Sequence, residues 1–156
     1  MEEIYKKLIN KNKYQVFLFS CPDNIPLSFA RHSWFVLNKK SKISRWEVLF
    51  RKKDVKNRWG HLYKNFFPPF LGLEIFPYVE KYFWKPTFLG YIEGDKDSFA
   101  YKVINFIEKS KDKYPYNYNY FLMGPNCNTY TQWVLDNFPQ FKAKLPWNAI
   151  GKNYKI

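Results

Sequence analysis

The chain has 156 residues, enough for one domain around one core. Its net charge of +13 draws it toward anions, but every basic residue except Arg31, Arg45, Arg51 and Arg58 is lysine; arginine is the usual bidentate reader of phosphate and guanine, so this balance argues against sequence-specific DNA binding. Two cysteines exclude a disulfide framework and an all-cysteine zinc site, and no stretch approaches the roughly 20 apolar residues of a membrane span.

Glu2 to Ile9 reads as a short helix, with Ile4, Leu8 and Ile9 on one side. Tyr14 to Ser20 is β-branched and aromatic and reads as a strand. Cys21 to Ala30 carries two prolines and an Asp-Asn pair, which makes it a loop. Arg31 to Asn38 is a second strand and Ser44 to Phe50 a third. The polar turn between them, Lys39 to Lys42, predicts a hairpin. From Lys52 to Lys64 the chain is basic and irregular. Phe66 to Pro86 follows, rich in proline and aromatic residues, and suits a long excursion better than a regular element. We therefore expect a single domain over 1–156 with an insertion or lid at about 52–90. FLGYIEGD, ending at Asp95, reads as a short strand and a turn. Asp97 or Ser98 caps a helix to about Lys109, striped by Phe99, Val103, Phe106 and Ile107. KDKYPYNYN breaks it, and Tyr118 to Leu122 reads as another short strand. Gly-Pro-Asn then opens a helix from Cys127 to about Asn137, ended by Pro139. LPWNAIGKNY is an aperiodic tail. This order suits a compact α+β domain, with a small antiparallel sheet packed against helices.

The opening MEEIYKKLIN has no continuous apolar core and does not read as a signal peptide. The expected location is the cytoplasm or the periphery of a membrane.

Cys127 is the sharpest chemical feature. A cysteine in the first turn of a helix sits among unpaired N–H groups whose partial positive charge stabilises a thiolate. The same groups can hold the oxyanion of an acyl intermediate. Taken alone, Cys127 equally fits a small half-buried cysteine on a helix face. His32 opens the strand HSWFVLN and shares a face with Trp34 and Val36. A neutral imidazole at the rim of a sheet can take a thiol proton, although a capped surface histidine has the same sequence signature. The other histidine, His61 in RWGHLY, lies in a more basic stretch; it is the alternative base, or a substrate-binding group. Glu47, on the following strand, is the candidate to orient the imidazole. A hairpin centred on Lys40 and Ser41 brings Ser33 or His32 roughly opposite Arg45 to Glu47. Asn126 and Asn128 flank the thiol, as helix cap, oxyanion donors or mere turn residues. No metal-ligand cluster and no phosphate-cradling glycine loop is present, so neither metal nor cofactor is expected.

HSWFVLN, RWEVLF, KYPYNYNYFLMGPNCNTYTQWVLDNFP and LPWNAIGKNY occur in an order that resembles domain-of-unknown-function family 3750. That family in turn resembles the permuted papain-like group, which includes NlpC-like peptidases and lecithin retinol acyltransferase-like enzymes. In that group the histidine strand precedes the cysteine helix, as His32 precedes Cys127 here. The resemblance covers Phe29 to about Phe50 and Tyr114 to Tyr154. It implies a permuted papain-like fold, with Cys127 as nucleophile, His32 as base and Glu47 as orienting group. One departure matters: the family pattern has serine where this chain has Cys127.

The leading expectation is a thiol hydrolase or acyltransferase acting on an amide or ester. Its substrate would be a peptide, a lipid or a cell-wall acyl group. The alternative is a catalytically inactive module that binds an anionic membrane or polymer through the aromatic insertion and its lysines. A third reading, nucleic-acid stacking on the alternating Tyr114, Tyr116, Tyr118 and Tyr120, is the weakest, because such alternation is ordinary in a half-buried strand. Oligomeric state is not legible.

Overall fold

The computed structural model describes residues 2–51 and 53–155. It is an α+β fold with six strands in one antiparallel sheet and three helices. In chain order these are α1 (Glu2–Lys6), β1 (Tyr14–Pro22), β2 (Arg31–Lys39), β3 (Lys42–Val48), β4 (Arg58–Trp59), β5 (Leu62–Lys64), β6 (Thr87–Gly94), α2 (Phe99–Lys113) and α3 (Cys127–Asn137). The sheet order is β4-β5-β3-β2-β1-β6.

β1 and β2 are apolar at consecutive positions, so a sheet that carries them must be covered on both faces. Both strands are buried throughout except at their ends. On one face Val16, Leu18, Phe35 and Leu37 pack against α2 and α3 through Val103, Ile107, Tyr130 and Val134. On the other, Phe17, Phe19, Trp34 and Val36 pack against Tyr63, Phe67, Phe70 and Leu73. The proline- and aromatic-rich segment after β5 thus forms the second layer of the core. Tyr5 joins it, 5.0 Å from the Phe19 ring.

The hairpin turn is two residues, Lys40 and Ser41, both at positive φ (50° and 77°). This is the hand that matches strand twist. The Asn38 side chain supports the turn by accepting from the Ser41 N–H at 2.8 Å. The register pairs Phe35 with Trp46, so Trp34 rather than His32 stands level with Glu47. His32, Trp34, Arg45 and Glu47 consequently share the face opposite α3. β2–β3 pairing stops at Phe35 and Trp46 although both strands continue. The strands part there, and this opening positions the site.

Three expectations need correction. Tyr118 to Leu122 is not a strand: its backbone turns on itself, with the Asn119 N–H donating to Tyr116 and the Phe121 N–H to Pro125. The alternating tyrosines from Tyr114 to Tyr120 form no common face, since Tyr114 is buried against Tyr130 while Tyr118 is exposed. The stretch read as irregular contains β4 and β5, too short to show periodicity. Helix α1 ends at Lys6 rather than Ile9.

Among the described residues, no helix is long and apolar enough to cross a membrane.

Candidate functional site

The site begins with the entry to α3. The Asn126 side-chain oxygen accepts from the backbone N–H groups of Asn128 and Thr129, and Thr129 returns a bond to the Asn126 N–H. This capping box satisfies the second and third helical donors. Among the described residues the Cys127 N–H has no hydrogen-bond partner. The cap therefore leaves one donor free, at the residue that carries the thiol.

The C-terminal tail holds this helix entry in place. The Ile150 carbonyl accepts from both Asn126 Nδ2 (3.0 Å) and Asn128 Nδ2 (2.9 Å), and the Gly151 carbonyl from the Thr129 hydroxyl (2.8 Å). Gly151 has φ +91°, and a Cβ there would overlap the Asn126 amide, so only glycine fits. The motifs GPNCNTY and IGKNY are thus two halves of one clamp. Asn128 also donates to the Arg31 carbonyl (2.7 Å) and accepts from Ser33 Oγ (2.8 Å), which fastens α3 to the start of β2. Asn126 Nδ2 further donates to Leu122 (2.9 Å). Both hydrogens of each amide are engaged, so an oxyanion role for either side chain gives way to an architectural one.

His32 lies where β2 and β3 part. Its Nε2 is 2.8 Å from Glu47 Oε2, and both side chains are buried. Behind Glu47 is Arg45, whose Nη2 donates to the same carboxylate oxygen at 2.7 Å. Arg45 Nε approaches Oε1 at 2.7 Å as an ion-pair contact, poorly aligned for a hydrogen bond. The guanidinium lies 4.2 Å over the Trp34 ring and donates to the Pro68 carbonyl. Burial alone would raise the Glu47 carboxyl. Arg45 and His32 outweigh it and hold Glu47 below its ordinary 4.5.

With Nε2 turned to Glu47, Nδ1 is the ring nitrogen left for Cys127. Burial opposes a charged His32. The charge of a Cys127 thiolate, its hydrogen bond to the ring, and Glu47 together prevail and push His32 up to about 10. Tyr120 is the second polar neighbour of the thiol. Burial first, then the charge of Cys127, Asp23 and a hydrogen bond to Cys127, raise its phenol, so it remains a donor. Tyr120 was missed because it sits in an alternating tyrosine run that reads as a strand.

His61 packs near Tyr120. Its ring is 5.5 Å from the Tyr120 ring, and Nδ1 meets the Leu49 carbonyl at 2.9 Å, which makes Nδ1 the protonated nitrogen. Cys21, the other thiol, is buried in the aromatic layer; burial pushes it up to about 12, and its sulfur accepts from the Leu73 N–H.

His32 and Tyr120 both line a cavity of about 580 Å³ whose walls include Ile25, Leu27, Leu49 and Leu122. Cys127 is not among its lining residues and is itself only 2% exposed. A larger groove of about 930 Å³, between α3 and the tail, contains neither Cys127 nor His32.

Fold and site define an α+β protein with a cysteine in the first turn of a helix and a buried histidine held by a carboxylate. Residues 14–154 match the family described as "Protein of unknown function (DUF3750)", and the chain belongs to that family. No curated protein and no solved structure matched the chain.

Proposed function

We propose that the protein is a thiol hydrolase or acyltransferase, with Cys127 as nucleophile, His32 as base and Glu47 as the group that holds the imidazole. The supporting observation is an imidazole fixed at 2.8 Å by the buried Glu47 carboxylate, with Cys127 close enough to His32 and Tyr120 to raise both. The thiol proton passes to His32 Nδ1. The sulfur bonds to an ester or amide carbonyl carbon, and the Cys127 N–H and Tyr120 hydroxyl hold the resulting oxyanion. Collapse breaks the bond to the alcohol or amine, which leaves with the proton from His32. Water, or a second alcohol or amine, then attacks the thioester while His32 takes its proton. The acyl group departs and the proton returns to sulfur. The order of histidine strand before cysteine helix supports placing this fold in the permuted papain-like group.

One observation favours a different reading. The low exposure of Cys127 suits a binding module that kept the fold without the chemistry. Turnover separates the two. Purified protein is incubated with short acyl thioesters, esters and peptide amides, and intact mass is followed. The enzyme reading expects an acyl adduct on Cys127 that is lost in Cys127→Ala and strongly slowed in His32→Asn. Hydrolysis that survives Cys127→Ala, or no adduct with any of these acyl donors, would count against it.

A further inference from the structure

The cavity beside His32 opens through a rim that is itself apolar. Ile25, Phe50, Tyr78, Phe121 and Leu122 line the cavity and are also exposed to solvent. Met123 continues the rim at 72% exposure. Phe29, two residues after the cavity-lining Leu27, is exposed, and Asn148, next to the 89% exposed Trp147, donates to the Phe29 carbonyl. Soluble proteins seldom gather so much exposed apolar surface around one opening without a partner for it.

The charge of the chain favours one partner. The net charge is +13, and among the described residues only Lys6, Lys13 and Lys39 pair with carboxylates. Most of the other described lysines form no ion pair and can face an anionic surface. A second copy of this chain would carry the same charge and be repelled. Nucleic acid offers phosphates and ring faces, but nothing that Ile25, Leu122 and Met123 would gain by contacting. An anionic bilayer offers both hydrocarbon for the aliphatic tips and an interface suited to Trp147 and Tyr78.

The expected docking element was the aromatic segment from Phe66 to Trp84. Part of it is committed elsewhere: Phe67, Phe70 and Leu73 are buried on the sheet, with Phe66, Phe83 and Trp84 packed against them, while Phe76, Tyr78, Val79 and Tyr82 are exposed. Of that segment, Tyr78 reaches the rim.

We propose that this rim docks on anionic lipid bilayers and presents the cavity to acyl chains held there. The substrate class rests on the thiol-enzyme reading above, whereas docking itself does not. The test is flotation with vesicles of phosphatidylcholine alone or with 30% phosphatidylglycerol. Wild type and Cys127→Ala should both float with the anionic vesicles and much less with the neutral ones. Trp147→Ala with Met123→Ser should weaken flotation by roughly tenfold. Phe29→Ser provides a second exposed site should that double variant misfold, as judged by thermal unfolding. Absence of flotation, or equal flotation by the rim variants, overturns the proposal. So does sedimentation showing a wild-type dimer that the rim variants dissolve. In parallel, wild type is assayed on a water-soluble short acyl thioester. Flotation without turnover of that compound would remove the chemistry and leave the docking. Turnover without flotation would do the reverse.

Discussion

Replacing Glu47 with glutamine tests whether the buried Arg45–Glu47–His32 chain is one coupled unit. The substitution keeps shape and removes charge. It disrupts two contacts to Arg45 at 2.7 Å and one to His32 at 2.8 Å, among side chains that water barely reaches. Removing one partner of a buried ion pair costs about 3–5 kcal/mol, because the other charge is left uncompensated. Glutamine retains one acceptor oxygen, so the lower end, about 3 kcal/mol, is expected. For a chain of this size that is a fall in Tm of about 6–12 °C. Stability should also depend on pH in a defined way. Glu47 has a lowered folded pKa, so its contribution is present above 4.5 and is lost as pH falls through the folded value. His32 has a raised folded pKa, so its contribution is complete below 6.5 and is lost as pH rises through about 10. Both contributions are at full strength between the two ordinary values. In Glu47→Gln the acid limb attributable to Glu47 disappears and the alkaline limb becomes shallower. Urea unfolding followed by tryptophan fluorescence from pH 4 to 10 measures this. A loss under about 1 kcal/mol at pH 5.5, or an acid limb identical to wild type, would refute the coupling.

Tyr120→Phe removes the side-chain oxyanion donor while keeping the ring; kcat should fall about 10²-fold with little change in KM, and an equal rise in KM would instead mark a substrate-binding role. Asn126→Ala removes the helix cap, a contact to the Leu122 carbonyl and one to the tail at Ile150, so destabilisation should exceed the roughly 1 kcal/mol of a simple cap, read by denaturant midpoint. Alkylation of the native protein at pH 8, mapped by mass spectrometry, should leave Cys21 unmodified, because burial pushes its thiol up to about 12; rapid labelling of Cys21 would contradict the packed aromatic layer.

Much of the frame was legible because the signals are local. β1 and β2 announce themselves by runs such as VFLF and WFVL, and Ser98 and Asn126 mark the starts of α2 and α3. His32, Glu47 and Cys127 could each be nominated from the side of an element on which they fall. What brings them together was not legible. Past Phe35 and Trp46, β3 keeps its pairing with β5, a strand of three residues, but not with β2. Nothing local in the sequence marks Arg45 as buried, yet it lies between Trp34 and the carbonyls of the proline-rich segment. That segment looks like an excursion because its prolines forbid regular structure. Its role as a second core layer arises from long-range packing onto Phe17, Phe19 and Trp34. Tyr120 needed the fold of its own loop, which the tyrosine alternation conceals.

The central claim is that His32 activates Cys127, and the rate of Cys127 alkylation by iodoacetamide across pH tests it most directly. The account predicts labelling below pH 7 faster than that of a free thiol, slowed in His32→Asn to the rate of an ordinary cysteine or less. Labelling of Cys127 that tracks a free thiol at every pH, and is indifferent to His32→Asn, would contradict it.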